Sequence, residues 1–133
     1  MTSPYRRYFI AMALFWMVFG LGTTFYPRMM QMFMTPEGIA ASTAFSDHVW
    51  LHDGLDILSV TVLLYALASV PATRTTLCSA AVVGLLPTAA VLYALLATPY
   101  MTPLILGPAL GCFAFAVWGF VLAGRVPSAQ IAR

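Results

Sequence analysis

Ten residues near the middle of the chain read Asp47-His48-Val49-Trp50-Leu51-His52-Asp53-Gly54-Leu55-Asp56, and they run directly into an apolar stretch at 57–70. All four carboxylate side chains and both histidines of the 133-residue chain lie between Glu37 and Asp56. Ionisable side chains are costly at membrane depth, where they normally face a bundle interior, a wet cavity or a partner. The stretch therefore predicts a helix that enters a membrane, and it marks the position of a functional site.

The rest of the composition is that of an integral membrane protein. The chain is 62% hydrophobic and 8% charged, whereas a soluble domain has about 25% charged residues. Four apolar segments are each close to the ~20 residues that cross ~30 Å of hydrocarbon. They lie at 8–25, 47–70, 76–98 and 104–123. We predict a single all-α domain over 1–133, an antiparallel bundle of four transmembrane helices joined mostly by short loops.

The first loop, at 27–46, is the long connection, and a loop of about twenty residues is usually functional or carries its own structure. Thr35-Pro36-Glu37 is a helix-start signal, with a cap, a proline and an acid in the first turn. We expect one or two short interfacial helices here, folded over the outer mouth of the bundle. Ser46 and Asp47 are expected to cap the second span.

Orientation follows from arginine, because the chain contains no lysine. Five arginines flank one side of the predicted bundle, and Arg28 alone lies on the other. The five are Arg6, Arg7, Arg74, Arg125 and Arg133. The positive-inside rule then predicts a cell (inner) membrane protein with both termini cytoplasmic and the first loop outside. No basic face is present, so no nucleic-acid partner is expected.

The polar residues of the second span share one face of a helix. At about 100° per residue, four of them fall within a stripe roughly 80° wide, and Asp53 flanks it. The four are His48, His52, Asp56 and Ser59. We predict that this stripe faces the bundle interior as a ligand pocket that also includes Asp53 and Arg28. Arg28 is expected to form a salt bridge with Asp53 or Asp56.

Two further chemistries fit these residues. His52, Asp56 and Asp53 could act as general acid and base in a membrane isomerase or cyclase that moves a proton on a sterol or polyisoprenoid. Copper(I) prefers soft ligands, and a metal site could combine His48 and His52 with Met32 and Met34. We favour apolar filling for the methionines and assign no metal. The sequence identifies no cofactor.

Glycine and proline suggest how the spans pack. Gly107-x-x-x-Gly111 forms a small-residue face that allows another helix to come close. Pro87 and Pro108 fall inside the third and fourth predicted spans, where each is expected to kink its helix.

Several of these features together resemble small bacterial DoxX-like membrane proteins. They are four short spans, a long first loop with Tyr26-Pro27, and a second span opening with His52-Asp53-Gly54-Leu55-Asp56. The resemblance covers most of the chain and implies a four-helix bundle. The plan is also similar to that of emopamil-binding sterol isomerases, which use intramembrane histidine and acidic residues. No motif here is specific enough to transfer their catalytic residues.

The function expected from the sequence is therefore binding. We expect a small integral membrane protein with an outward-facing polar pocket on its second helix, which takes an apolar or lipid-like ligand. The alternative within the same class is an accessory subunit docked in a membrane complex. The expected partners are the lipid bilayer, an apolar small molecule or lipid, and other membrane-protein subunits.

Overall fold

The computed structural model describes residues 3–126. Four helices in this part of the chain are long and apolar enough to cross a membrane. They are α1 (Pro4–Phe25), α3 (Ala44–Leu67), α4 (Arg74–Ala97) and α5 (Leu106–Gly124), which a 3-10 turn at Pro103–Ile105 precedes. A 3-10 helix at Pro27–Phe33 and the short helix α2 (Pro36–Ala41) link α1 to α3. The all-α prediction and the short helices of the first loop are confirmed, and the chain is a multi-pass membrane protein.

The second span begins and ends earlier than predicted. Thr43 caps α3: its Oγ1 accepts a hydrogen bond from the Ser46 amide at 3.4 Å, and the Ser46 hydroxyl accepts one from the Thr43 amide at 3.3 Å. The predicted cap is therefore wrong in part: Thr43 is the N-cap, but the Ser46 side chain completes the capping box and Asp47 lies in the first turn. Helix α3 ends at Leu67, ahead of Pro71, because the residue before a proline disfavours helical geometry.

Two loops are joined at one end of the bundle, in a pairing that we call the clasp (33–35 with 100–102). The Thr35 amide donates to the Tyr100 carbonyl at 2.9 Å, and the Thr102 amide donates to the Phe33 carbonyl at 2.7 Å. Met34 and Met101 form an antiparallel bridge between these bonds. The clasp places both loops at the same end, so consecutive long helices run antiparallel, as predicted.

Small residues bring the helices together in two pairs, α1 with α3 and α4 with α5. A Cβ atom on Gly54 would lie 2.6 Å from the Thr23 hydroxyl, and one on Gly84 would lie 2.7 Å from the Cys112 carbonyl oxygen. These glycines therefore permit the close approach in each pair. The predicted Gly107–Gly111 face is wrong in part, since a Cβ on Gly107 would meet nothing within 4 Å.

The two pairs meet through α1 and α5. The ring of Tyr8 lies 5.4 Å from that of Trp118, and the ring of Phe15 lies 5.3 Å from that of Phe115. Helices α3 and α4 make few contacts, although the link between them is short. The short link does not bring α3 and α4 together, because the glycines that allow close approach face α1 and α5 instead. A lateral cleft lies between the two helices.

The two prolines of the third and fourth spans differ in their position along the helix. Pro87 lies inside α4 as expected, and it borders the cleft. Pro108 is in the first turn of α5, where a helix has no use for the missing amide proton. The prediction of a mid-helix kink at Pro108 is therefore wrong.

Candidate functional site

Helix α3 turns its small and apolar residues toward the rest of the chain. Gly54, Thr61 and Leu64 are buried, and Gly54 meets Thr23 and Thr24 of α1. This face can pack closely because a glycine lets the two backbones approach. The buried Thr61 hydroxyl donates a hydrogen bond to the Ile57 carbonyl of its own helix at 2.9 Å, so it needs no partner on α1.

The polar stripe lies on the opposite side of α3. All its members are exposed on the surface of the chain: His48, His52, Asp56 and Ser59. The Ser59 hydroxyl donates to the Leu55 carbonyl at 3.0 Å, within its own helix. The prediction that this stripe faces the interior of the bundle is wrong for the single chain. The side of α3 that packs against the rest of the chain is the one that carries Gly54, Thr61 and Leu64.

Arg28 pairs with a carboxylate other than the two expected. Its Nε lies 3.5 Å from Oδ2 of Asp47, across the junction between the 3-10 helix and the first turn of α3. The predicted salt bridge to Asp53 or Asp56 is therefore wrong. The two side chains are 68% and 32% exposed, and an exposed pair of this kind contributes about 0–1 kcal/mol. Arg28 thus belongs to the loop structure, away from the cleft.

The cleft between α3 and α4 has a volume of about 640 Å³. Asp53 and Asp56 are its ionisable side chains, and the remaining wall is apolar, with Trp16 of α1 buried at its side. The apolar wall consists of Trp16, Ile57, Val60, Val83, Leu86, Pro87 and Ala90. Of the six residues predicted to form the pocket, the cleft brings together only Asp53 and Asp56.

The depth of these carboxylates is larger than the predicted helix start implied. Because α3 begins at Ala44, Asp56 lies about 18 Å along a helix of about 36 Å. It is thus near the middle of a membrane-spanning segment, where an aspartate costs about 2.5–3.5 kcal/mol unless it is compensated. Asp53 lies about one turn closer to the clasp end. The two carboxylates therefore form the polar edge of an otherwise apolar cleft.

Sequence reasoning did not find the α4 wall of the cleft. Val83, Leu86, Pro87 and Ala90 follow the spacing i, i+3, i+4, i+7, so they share one side of the helix. That spacing, together with an in-helix proline, is the signal that could have identified the wall. Apolar residues on every side of α4 hid it.

Two other cavities flank the bundle ends. One of about 310 Å³ lies under the clasp, between α2 and the start of α3, and includes Met34, Phe45, Trp50 and Tyr100. The other, of about 600 Å³, lies at the opposite end beside Arg6 and the 67–72 turn. No histidine or carboxylate lines either cavity, whereas Asp53 and Asp56 line the α3–α4 cleft.

The residues of the alternative metal site have separate surroundings. Met32 is 61% exposed, and the sulfur of Met34 accepts a hydrogen bond from the Ser42 hydroxyl at 3.8 Å. Between residues 3 and 126, no three His, Cys, Asp or Glu side chains form a group that could hold a metal ion. The His52 side chain is also outside the wall of the cleft.

Comparisons with known proteins do not assign a function to the chain. The chain matches no protein-family model, no curated protein and no solved structure.

Proposed function

We propose that the α3–α4 cleft binds an amphipathic molecule from the bilayer, with an apolar body along α4 and a cationic or hydrogen-bond-donating head at Asp53 and Asp56. The observation that supports this is the junction of two carboxylates with an apolar wall in one cavity of about 640 Å³. Ligand sites have volumes of about 300–1,000 Å³ and combine apolar walls with a few polar groups.

The energetics favour such a ligand over plain lipid tails. A carboxylate in the middle of a span is unfavourable unless a partner neutralises or hydrogen-bonds it, and Arg28 is engaged with Asp47 instead. A cationic head beside Asp53 and Asp56 would compensate both charges. The apolar body would reach its place laterally, since α3 and α4 make few contacts and Leu86 is 65% exposed at the edge of the cleft.

The proposal also includes the orientation of the chain in the membrane and its resemblance to DoxX-like proteins. Five arginines against Arg28 support cytoplasmic termini in the cell membrane; Arg133 lies outside the described residues. The clasp and the end of α3 nearer to Asp53 would then face outward. The likeness to DoxX-like proteins continues to rest on Tyr26-Pro27 and the motif at 52–56.

Binding is favoured over acid–base catalysis by the position of His52. The imidazole of His52 does not line the cleft, so an isomerase or cyclase would have to work with Asp53 and Asp56 alone. With Asp53 and Asp56 alone, general acid–base chemistry on a carbon skeleton would need one carboxyl group protonated and the other ionised. A pair of like carboxylates suits the recognition of a cation better.

Fluorescence of Trp16 can test the proposal directly. In a Trp50→Phe/Trp118→Phe variant, Trp16 is the single remaining tryptophan, and it is 9% exposed beside the cleft. Dodecylamine, dodecanol and dodecanoate with a terminal bromine are titrated into the protein in nanodiscs. We expect the amine to quench Trp16 at the lowest concentration and the carboxylate at the highest.

Two matched variants separate the cleft from the general lipid surface. Ala90→Phe fills the cleft, whereas Ala89→Phe makes the same change at an exposed neighbour outside it. Quenching by the amine should be lost in the first variant and kept in the second. Equal quenching by all three compounds, or equal quenching in both variants, contradicts the proposal.

A further inference from the structure

The exposed side of α3 carries a regular seam that nothing in the described chain covers. Its positions are separated by four, three, four, three and four residues, and every one is exposed. We call these residues the α3 seam: His48, His52, Leu55, Ser59, Val62 and Ala66. A 3.5-residue repeat of this kind is the pattern by which one helix packs along another.

The seam differs from an ordinary lipid-facing surface in its composition. Its half nearer the clasp carries His48 and His52, with Asp56 at the edge, and the other half carries the small residues Ser59 and Ala66. Polar groups that face the outside of a membrane helix normally pair with another helix. Small residues at helical spacing allow that helix to approach closely.

The hydrogen-bonding groups on the seam and at its edge complement each other. Imidazole and carboxylate are hydrogen-bonding partners, and both occur within one turn on this face, at His52 and Asp56. In a twofold interface the same surface meets itself, so a face that carries both partners is self-complementary. Copies of one chain insert in the same orientation, which makes two α3 helices parallel and sets equal residues at equal depth.

We propose that a second copy of the chain covers the α3 seam, giving a parallel twofold dimer through α3. His52 of each copy then lies about one helical turn from Asp56 of the other along the helix axis. The pairing compensates polar groups that the single chain leaves exposed. The centre of the seam lies roughly 130° around α3 from the side that lines the cleft, and Asp56 lies at the border between the two surfaces.

Cysteine cross-linking in native membranes tests the proposal. The native residues Cys78 and Cys112, which are not disulfide-linked, are first replaced by serine. Single cysteines are then placed on the seam by Ser59→Cys, Val62→Cys and Ala66→Cys. Tyr65→Cys provides a control on α3 that is exposed but off the seam, and Val121→Cys provides an exposed control on α5. Ser59 and Val121 each lie about 22 Å along their helices from the clasp end, so they are matched in depth.

Oxidation should give about tenfold more covalent dimer for the seam positions than for the controls, because a disulfide forms only when the Cα atoms come within about 7 Å. Equal yields at Ser59→Cys, Tyr65→Cys and Val121→Cys would mean random collision and would overturn the proposal. Cross-linking of the seam to a different protein would overturn it as well.

A second measurement needs no substitution in the fold. Two differently tagged wild-type copies are expressed together and purified through one tag in mild detergent, where we expect the second to be retained. Asp56→Asn in both copies should weaken the retention by roughly threefold to tenfold, because interhelical polar pairs in membranes are each worth a modest amount and symmetry doubles the number. Asp47→Asn, at the salt bridge to Arg28, serves as the matched control and should leave retention unchanged. If the wild-type copies are not retained together, the dimer is excluded.

Discussion

The α1–α3 pair and the α4–α5 pair are both closed by glycines, but only the first carries carboxylates and histidines. Gly54 brings α3 against Thr23, and Gly84 brings α4 against the backbone of Cys112. Between Arg74, the first residue of α4, and Arg125 the second pair contains no charged residue. The difference shows that close packing is set by small residues in both pairs, while polarity is reserved for a side of α3 that packing leaves open.

The cleft lies where these two kinds of helix pair face each other. Asp53 and Asp56 come from the polar pair, and the α4 wall comes from the apolar pair. Neither pair alone contains both the carboxylate edge and the α4 wall, so the cleft requires both pairs.

The largest expected effect comes from replacing the glycines that close the two helix pairs with a larger residue. Gly54→Leu or Gly84→Leu is expected to destabilise the protein by about 2–3 kcal/mol, because the new side chain meets the facing helix and forces the pair apart. Thermal unfolding in detergent measures the effect. The matched control is Gly107→Leu, which has open space around it and should be nearly neutral. Equal destabilisation at all three positions would refute the role of the two seams.

Neutralising the cleft carboxylates tests its polar half. Asp53→Asn and Asp56→Asn should each lower the affinity for bromododecylamine about tenfold, or about 1.4 kcal/mol, since each removes one charge from the head site. Affinity for bromododecanol should change much less. Quenching of Trp16 reports both affinities, with Asp47→Asn as the control outside the cleft.

The same variants have a second expected result in the absence of ligand. Removing a charge from the middle of a membrane helix should leave the melting temperature unchanged or raise it. If Asp56→Asn instead unfolds the chain, the carboxylate has a structural partner and the ligand proposal loses its main support.

Tyr8 tests the junction between the two pairs. Its hydroxyl is buried without a hydrogen-bond partner among residues 3–126, while its ring packs edge-on against Phe9 and Trp118. Tyr8→Phe keeps the ring contacts and removes the unsatisfied group, so stability should rise by about 1 kcal/mol. Tyr93→Phe, at a 72% exposed position, should have no effect on the melting temperature. A loss of stability in Tyr8→Phe would reveal a partner for the hydroxyl.

Much of the fold could be predicted because membrane crossing imposes simple requirements. Length and apolar composition located four spans, and Thr35-Pro36-Glu37 located the start of α2. The helix caps were harder, because Thr43 and Ser46 are both good capping residues and the sequence pattern alone does not choose between them. The clasp was not foreseen, since the pairing of Thr35 with Tyr100 joins distant backbone groups and leaves no mark on side-chain patterns.

The polar residues were placed correctly on α3, but the side of the helix that they occupy was not predicted. A polar stripe shows which residues share a face, yet it does not show whether that face meets the same chain, a second copy or lipid. That choice depended on Gly54 and Thr61, whose small size decides where α1 can pack. The α4 wall was hidden for a related reason: in a helix that is apolar all round, hydrophobicity does not distinguish one side from another.

The smallest expected effect concerns the salt bridge between Arg28 and Asp47. Both groups are partly exposed at a distance of 3.5 Å, so Arg28→Gln and Asp47→Asn should each lower stability by no more than about 1 kcal/mol. In a double-mutant cycle the two changes should be coupled by a few tenths of a kcal/mol, because each removes the same interaction.

Arg28→Gln and Asp56→Asn should instead be additive within about 0.5 kcal/mol, since the arginine does not reach the cleft. Thermal unfolding of the four combinations at low and high salt separates these cases, as only the Arg28–Asp47 coupling should fall when salt screens it. Coupling between Arg28 and Asp56 would restore the pairing expected from sequence and would place the arginine back in the cleft, where it would compete with a cationic ligand.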